Sequence, residues 1–237
     1  AAVRIADCGD PLYRNPSFTK AWYLKWAEKW VLHGFCYISV PFEYAKRAYA
    51  GIVESGKLTV IPQGMQLVNI DGALYRPNVV PTFCYAGLFY EHIRNPKFFL
   101  DYLLILDQSF RFVVYCLEDT FSQEMLSSYK KLLGEKLLIK SPIDRESLIH
   151  EMAKMDFVIN FDNDNATQRP SKLIDYAMSR RPILSFNRQT FRPEVFQAFL
   201  KGDYREQYHV DLAQYDIRRV VDQFEALVDE KIRGDVK

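Results

Sequence analysis

The most regular pattern along the chain begins at Thr82, where short apolar segments alternate with amphipathic ones. The apolar segments predict strands at Phe83–Ala86, Phe110–Cys116, Lys136–Lys140, Phe157–Asn160 and Ile183–Phe186. Helical spacing predicts helices at Pro96–Leu106, Phe121–Leu133, Arg145–Lys154, Ser171–Arg180 and Arg192–Leu200. Strands that are apolar throughout are typical of parallel sheets with helices on both faces. We therefore predict an α/β fold with a doubly wound, Rossmann-like parallel sheet.

The chain before Thr82 is less regular. The pattern predicts a helix at Ser17–His33, a strand at Cys36–Val40, a helix at Phe42–Ser55 and a strand at Leu58–Ile61. Val68–Val80 mixes apolar residues with glycine and proline, which indicates a connector and a domain boundary near residue 79. Near the C-terminus, apolar residues from Ile217 to Val228 keep a helical spacing. We predict two domains, 1–78 and 79–237, with the C-terminal helix in the second.

Trp22, Trp26 and Trp30 recur at every fourth residue of the first predicted helix and therefore share one of its faces. We predict that this stripe packs against the core of its domain. The alternative is contact with a membrane interface, because three lysines accompany the aromatic residues. These are Lys20, Lys25 and Lys29.

The composition argues against several classes of protein. The chain has 237 residues, with 31 Lys and Arg against 30 Asp and Glu, so it lacks the basic excess of a nucleic-acid binder. No apolar run is long enough to span a bilayer, and Ala1–Asp10 lacks the sections of a signal peptide. The cysteines form no CxxC pair, and Cys36, Cys84 and Cys116 lie in apolar segments, which is typical of reduced core thiols. We predict a cytoplasmic protein.

The segment Gln168–Pro182 lies between the last two predicted strands and contains side chains suited to binding a ligand. Pro170 fits the first turn of a helix, and Lys172 and Asp175 share the polar face of that helix. Ligands of open α/β sheets bind beyond the carboxyl ends of the strands, and a helix N-terminus favours an anion. We expect Lys172 and Asp175 to hold a phosphate and a sugar hydroxyl. The alternative is a surface salt bridge between the two residues.

The turn after the first strand of this sheet contains a second candidate set. Gly87 permits close approach of a ligand, and Arg94, which precedes a helix opened by Pro96, can pair with a diphosphate. The turn has neither the GxGxxG fingerprint nor a Walker A motif, which disfavours a nicotinamide-dependent or P-loop enzyme. The histidines are scattered, and Asp162–Asn165 lacks the following glycine and glutamate of a calcium loop, so we predict no metal site.

Four segments, taken in their order along the chain, resemble parts of the retaining, group 1 glycosyltransferases of GT-B fold. Ile5–Pro11 resembles that family's Asp-x-x-Asp-Pro segment, and Val60–Met65 resembles its Ile-Pro-Asn-Gly segment. Tyr85–Asn95 is similar to the Gly…Lys-Asn turn that opens its nucleotide-binding domain. Pro170–Pro182 is similar to the segment that holds the second acid of its Glu-x7-Glu motif. Together these matches span nearly the whole chain.

The resemblance implies a GT-B-like fold in which 1–78 is the final part of an acceptor-side domain and 79–237 is the donor domain. It implies metal-independent transfer, with retention of configuration, of a hexosyl-type sugar from a UDP or GDP sugar, with no further cofactor. The implied acceptor is a saccharide or a lipid-linked acceptor, in polysaccharide or glycoconjugate biosynthesis. Peripheral contact with the inner face of the membrane is compatible with such an acceptor.

The resemblance also implies roles for individual residues. Its donor-site positions correspond to Gly87, Arg94, Ile143, Ser171, Lys172 and Asp175. Asp175 would accept hydrogen bonds from the ribose hydroxyls, whereas Ser171, Lys172 and Arg94 would hold the diphosphate and stabilise the leaving group. The loop containing Ile143 would lie beside the base.

The sequence departs from the family at Thr167, the position of the first Glu in the Glu-x7-Glu motif. A threonine supplies no carboxylate, so we assign no catalytic residue. The alternative function is a non-catalytic relative that uses the same fold to bind a nucleotide or a partner protein.

Overall fold

The chain forms two compact units in a computed structural model that describes residues 2–15, 21–70, 75–116, 120–163 and 172–235. The first unit consists of Ala1–Leu67 with Ala213–Lys237, and the second is Val68–Leu212. The division at Leu67 lies earlier than the boundary near residue 79 that the sequence suggested. The C-terminal helix, which the sequence assigned to the second domain, belongs to the first unit.

Backbone hydrogen bonds attach the start of the C-terminal helix to the first unit. The Met65 N–H donates to the Tyr215 carbonyl over 2.7 Å, and the Ile217 N–H donates to the Met65 carbonyl over 3.1 Å. Gly64 lies against the side chains of Ile217 and Val220. These contacts join residues far apart in sequence, which is why helical spacing alone did not reveal them.

The first unit contains a parallel sheet of three strands in the order β1-β2-β3. Its elements are β1 (Ile5–Asp7), α1 (Trp22–His33), β2 (Tyr37–Val40) and β3 (Leu58–Val60). The helix predicted at Phe42–Ser55 is present only in part, as a 3-10 helix at Glu43–Tyr49. The helix ends at Ala50, which has an extended conformation, and Gly51 follows with a φ of +76° in the left-handed region.

The prediction that the tryptophan stripe packs on the core is wrong. Trp22, Trp26 and Trp30 are 82%, 66% and 70% exposed, whereas Glu28 and Leu32 are buried on the inner face of α1. The Glu28 carboxylate accepts backbone hydrogen bonds from Leu12 over 2.7 Å and Tyr13 over 3.2 Å. A four-residue spacing shows that three side chains share a face, but it does not show which face points inward.

The second unit is a doubly wound α/β domain, as the sequence predicted. Its strands are β4 (Thr82–Ala86), β5 (Arg111–Tyr115), β6 (Leu137–Lys140), β7 (Phe157–Phe161) and β8 (Ile183–Phe186). Its helices are α2 (Lys97–Ile105), α3 (Thr120–Leu133), α4 (Arg145–Ala153), α5 (Lys172–Met178) and α6 (Pro193–Leu200). The remaining helix, α7 (Ile217–Asp235), is the C-terminal helix of the first unit. All five strands are parallel, in the order β6-β5-β4-β7-β8.

The strand order places a topological switch point between β4 and β7. The chain runs outward from β4 through β5 to β6 and then returns to the other side of β4 with β7. Crossover helices diverge at such a point and leave a crevice beyond the carboxyl ends of the strands. The residues after Ala86 and after Phe161 therefore occupy the expected ligand position.

An aromatic core fixes these two strands against each other. Phe83 of β4 and Phe157 of β7 are fully buried, with ring centroids 4.8 Å apart and nearly parallel planes. Phe112 of β5 stacks on the other side of Phe83 at 4.9 Å, and Phe196 meets Phe83 edge-on at 5.4 Å. Offset and edge-to-face pairs of this kind stabilise the core beyond the area that they bury.

Candidate functional site

The candidate site lies at the switch point, where residues from three segments meet. Gly87 follows β4, Asn163 lies two residues beyond β7, and Lys172 is the first residue of α5. Ser171 and Thr167 lie outside the described residues.

Tyr176 attaches α5 to the end of β4. Its buried hydroxyl donates to the Ala86 carbonyl over 2.9 Å and accepts from the Ala86 N–H over 3.0 Å. The last residue of β4 is thus bonded to α5 one turn after Lys172, which sets the position of Lys172 beside Gly87. The sequence analysis did not predict this role of Tyr176. It could have been inferred from a tyrosine among apolar residues of the predicted helix, since a buried hydroxyl needs a hydrogen-bond partner.

Lys172 is held by a buried tyrosine. Its Nζ donates to the Tyr85 hydroxyl over 2.8 Å and lies 4.1 Å from the centre of the Tyr85 ring. Burial, and then the nearby charge of Arg94, hold the pKa of Lys172 well below its ordinary value, and Asp162 opposes this effect only partly. Among the described residues, Lys172 forms no ion pair with a carboxylate, so its ammonium group lacks a close counter-charge. The alternative of a Lys172–Asp175 salt bridge is wrong.

Gly87 provides the space that Lys172 occupies. A Cβ atom at this position would lie 3.0 Å from Lys172 Nζ and 3.3 Å from the Tyr85 hydroxyl. The φ of Gly87 is +140°, which side chains of L-residues rarely adopt. Its N–H donates to the Tyr115 carbonyl over 2.9 Å and continues the pairing of β4 with β5. Both the conformation and the close approach therefore require glycine.

Arg94 is the second cation at the switch point. One terminal nitrogen donates to Asn163 Oδ1 over 2.7 Å, and the other donates to the Leu88 carbonyl over 3.4 Å. Its Nε is buried and has no hydrogen-bond partner among the described residues. A buried donor without a partner is unfavourable, and a bound anion would satisfy it. Arg94 and Lys172 thus present two partly buried positive charges with spare donor capacity.

Asp175 is engaged by an arginine that the sequence reading missed. Arg145, the first residue of α4, donates to Asp175 Oδ1 from Nε over 2.8 Å, and its terminal nitrogen lies 2.7 Å from the same oxygen. The ion pair joins α4 to α5 and leaves both side chains partly exposed. A carboxylate has about four acceptor positions, so this pair leaves acceptor capacity on Asp175. Nothing local in the sequence connects residues so far apart.

Ile143 lies in a different part of the same sheet edge. With Tyr115, Lys140 and His150, it lines an open pocket of about 730 Å³ beyond β5 and β6. Asp144 accepts from the Ser147 N–H over 2.9 Å and caps α4, and this hydrogen bonding lowers the pKa of Asp144. The pocket offers an apolar side chain and several polar groups at a fixed helix start.

The Asp162 carboxylate, just after β7, is hydrogen-bonded within the second unit. It accepts from Asn160 Nδ2 over 2.5 Å and from the Ser185 hydroxyl over 2.9 Å. The described residues contain no group of three or more His, Cys, Asp or Glu side chains that could hold a metal ion. None of the cysteines forms a disulfide, and Cys84 and Cys116 are buried.

No protein-family model and no curated protein sequence matches the chain. Solved structures do share its fold. TarM, known from S. aureus, aligns with a TM-score of 0.64 and 10% identity over 95% of this chain and 50% of TarM. HepE from Anabaena, in complex with UDP, aligns with a TM-score of 0.64 and 11% identity over 95% of this chain and 72% of HepE. The pneumococcal O-GlcNAc transferase GtfA, in complex with UDP and GlcNAc, aligns with a TM-score of 0.59 and 9% identity over 95% of this chain and 52% of GtfA.

These matches confirm the predicted fold. The chain has the α/β fold of GT-B glycosyltransferases, and it spans about half the length of TarM and GtfA. Identities of 9 to 11% establish the fold and leave the reaction to be argued from the site. No helix within the described ranges is both long and apolar enough to cross a membrane.

Proposed function

We propose that this chain is the donor-binding portion of a glycosyltransferase that takes a hexosyl group from a UDP or GDP sugar. The observation that carries the proposal is a pair of partly buried cations at the switch point: Lys172, which lies against Gly87, and Arg94, whose charge acts on Lys172. A UDP or GDP sugar carries its negative charge on a diphosphate between the nucleoside and the sugar, where two adjacent cations can contact both phosphates.

The charges of the site explain why it favours a diphosphate. Burial and mutual repulsion make two neighbouring cations unfavourable when no anion is present. The negative charge of a bound diphosphate offsets both effects, because it attracts both cations. Hydrogen bonds between charged partners are shorter and about twice as strong as those between neutral groups. The same groups would stabilise the diphosphate as it leaves the sugar, without requiring a metal ion.

The rest of the donor has candidate positions along the same sheet edge. We assign the ribose hydroxyls to Asp175, which can accept them while it remains paired with Arg145. We assign the base to the pocket lined by Ile143, where an apolar side chain can contact a ring face. Ser171 stays a predicted diphosphate ligand.

The acceptor and the pathway that we propose come from the family resemblance of the sequence rather than from the site. HepE was solved with UDP-glucose and GtfA with UDP and GlcNAc, so proteins of this fold bind nucleotides and sugars of the proposed class. We propose transfer with retention to a saccharide or lipid-linked acceptor during polysaccharide or glycoconjugate biosynthesis in the cytoplasm. A cytoplasmic site agrees with thiols that form no disulfide.

A non-catalytic nucleotide-binding relative is the second candidate function. Thr167 favours it, because the family places a carboxylate there. Turnover of a UDP or GDP sugar by the chain, in the presence of a saccharide acceptor, distinguishes the enzyme from the binding protein.

Calorimetric titration of the chain with UDP, GDP and NAD tests the donor site. We expect one of the two diphosphates to bind, and Lys172→Ala or Arg94→Ala to weaken its binding by roughly tenfold to a hundredfold, as for lost hydrogen bonds to charged groups. The matched controls are Lys131→Ala and Arg111→Ala, which remove exposed cations of the same unit: Lys131 lies in the last turn of α3, and Arg111 begins β5 at the end of the strands opposite the switch point. Heat on adding NAD, and none with any nucleoside diphosphate, would contradict the proposal.

A further inference from the structure

The outer face of α1 carries a cluster of exposed aromatic side chains. We call Trp22, Tyr23, Trp26 and Trp30 the tryptophan face; Tyr23 is 56% exposed, and the tryptophans are more exposed still. The rings contact one another: Trp26 stacks on Trp30 at 6.5 Å, and Trp22 meets Tyr23 edge-on at 6.2 Å. Soluble proteins rarely expose a contiguous patch of large aromatic rings unless it binds a partner or a membrane.

The charges around the tryptophan face are positive. Lys25 and Lys29 are exposed and lie three residues after Trp22 and Trp26, which makes them neighbours on the helix surface. The helix has a single acid, Glu28, and this residue points inward and accepts the backbone hydrogen bonds of Leu12 and Tyr13. The exposed side of α1 is therefore aromatic and basic, with no acidic side chain of its own.

We propose that the tryptophan face binds the surface of an anionic lipid bilayer, with α1 lying in the plane of the headgroups. Tryptophan and tyrosine favour the boundary between headgroups and acyl chains, because their rings are apolar and their N–H or O–H groups need polar partners. Lysines beside them can extend their ammonium groups to lipid phosphates. α1 contains 12 residues, so it fits a helix lying on the membrane rather than crossing it.

The same charges argue against a second copy of the chain as the occupant. A symmetric dimer brings one patch against the identical patch of its partner. Such a contact would place Lys25 and Lys29 close to the same lysines of the other copy, with no acid of α1 between them. Like charges facing each other across an interface are unfavourable. An anionic lipid surface lacks this difficulty.

The distribution of tryptophan makes the test specific. The chain has three tryptophans, all within the tryptophan face, so intrinsic tryptophan fluorescence reports on this face alone. We would mix the 237-residue chain with vesicles of phosphatidylcholine, and with vesicles of equal parts phosphatidylcholine and phosphatidylglycerol. We expect a shift of emission to shorter wavelength with the anionic vesicles, loss of quenching by iodide, and quenching by brominated acyl chains.

Charge reversal separates the electrostatic contribution to vesicle binding from non-specific hydrophobic adsorption. We expect Lys25→Glu with Lys29→Glu to weaken vesicle binding by roughly tenfold or more, since each cation near an anionic surface contributes measurably. Lys131→Glu with Lys201→Glu makes the same change of charge on exposed lysines of the other unit and should leave binding nearly unchanged. Circular dichroism checks that both variants are folded. Trp26→Ala with Trp30→Ala should weaken vesicle sedimentation as well.

Three outcomes would overturn the proposal. The first is short-wavelength emission without lipid together with a dimer in sedimentation, which would show that a second copy covers the face. The second is emission shielded from iodide in a monomer, which would show that another part of the protein covers it. The third is exposed tryptophans whose emission does not respond to anionic vesicles. The proposal is independent of nucleotide binding, so a chain that fails to bind UDP can still bind vesicles.

Discussion

Lysines and aromatic rings occur together at two regions of this molecule, with opposite exposure. At the switch point, Lys172 lies over the ring of fully buried Tyr85, and burial lowers the pKa of Lys172. On α1, Lys25 and Lys29 accompany tryptophans that are largely open to solvent. The difference in burial, rather than the residue types, therefore determines which kind of anion each region suits. A buried cation suits one small anion at a fixed position, whereas exposed cations suit an extended charged surface.

The two kinds of aromatic residue should differ most in their effect on stability. Phe157→Ala should reduce the free energy of unfolding by about 3–5 kcal/mol, because it leaves a cavity between stacked rings in the core. Trp26→Ala should change it by less than about 0.5 kcal/mol, because the ring is exposed. Urea unfolding followed by far-ultraviolet circular dichroism measures both. Equal losses for the two variants would mean that α1 is buried in the folded chain.

Gly87→Ala should have the next largest effect, and it should act at the donor site. The added methyl group would meet Lys172 Nζ at 3.0 Å in a backbone conformation that alanine disfavours. We expect a loss of about 1–3 kcal/mol in the free energy of unfolding. UDP affinity, measured by calorimetry, should fall as well because Lys172 is displaced.

Gly202→Ala is the matched control for Gly87→Ala. Gly202 also has a positive φ, but no heavy atom of the described part of the chain crowds its Cβ position within 4 Å. This variant should share the backbone cost and keep the UDP affinity of the unsubstituted chain. Equal affinity losses for both variants would show that backbone strain, and not displacement of Lys172, weakens binding.

The lowered pKa of Lys172 predicts a smaller effect, a pH dependence of diphosphate binding. Burial and Arg94 disfavour the ammonium form in the free chain, whereas a bound diphosphate favours it, so binding raises this pKa. Affinity should be constant below the pKa of the free chain. Above that pKa it should fall by at most about tenfold per pH unit, because one proton is taken up on binding.

Calorimetry in buffers of different ionisation enthalpy measures that proton uptake. The experiment belongs above neutral pH, where the phosphates of UDP are ionised. Stability has the opposite trend: the free chain should become more stable as pH rises from the lowered pKa towards the ordinary value of about 10.4, since only the unfolded state keeps the proton there. Lys172→Ala should abolish both effects; proton uptake that persists in this variant would assign it to another group.

The sequence was sufficient for features that depend on local pattern. Every predicted strand of the second unit is present within one or two residues, because each is a short apolar run bounded by polar turns. Lys172 lies beside Gly87, and Arg94 is close enough for its charge to lower the pKa of Lys172, while the role of these residues in binding a donor stays a prediction.

Features that depend on contacts between distant residues were not predictable in the same way. The hydrogen bonds of Tyr176 to Ala86, and the ion pair of Arg145 with Asp175, join separate elements of the second unit. The return of α7 to the first unit is a contact of the same kind. The exposure of Trp26 depends on which side of α1 meets the sheet, and helical spacing does not contain that information.

The most direct test of the donor site is an experimental structure of the chain with UDP bound. We expect the diphosphate at the switch point, with phosphate oxygens within hydrogen-bonding distance of Lys172 Nζ and of the Arg94 guanidinium. We also expect the ribose beside Asp175 and the base toward Ile143. A diphosphate bound elsewhere, with Lys172 still on the Tyr85 hydroxyl and Arg94 Nε still without a partner, would contradict the proposed donor site.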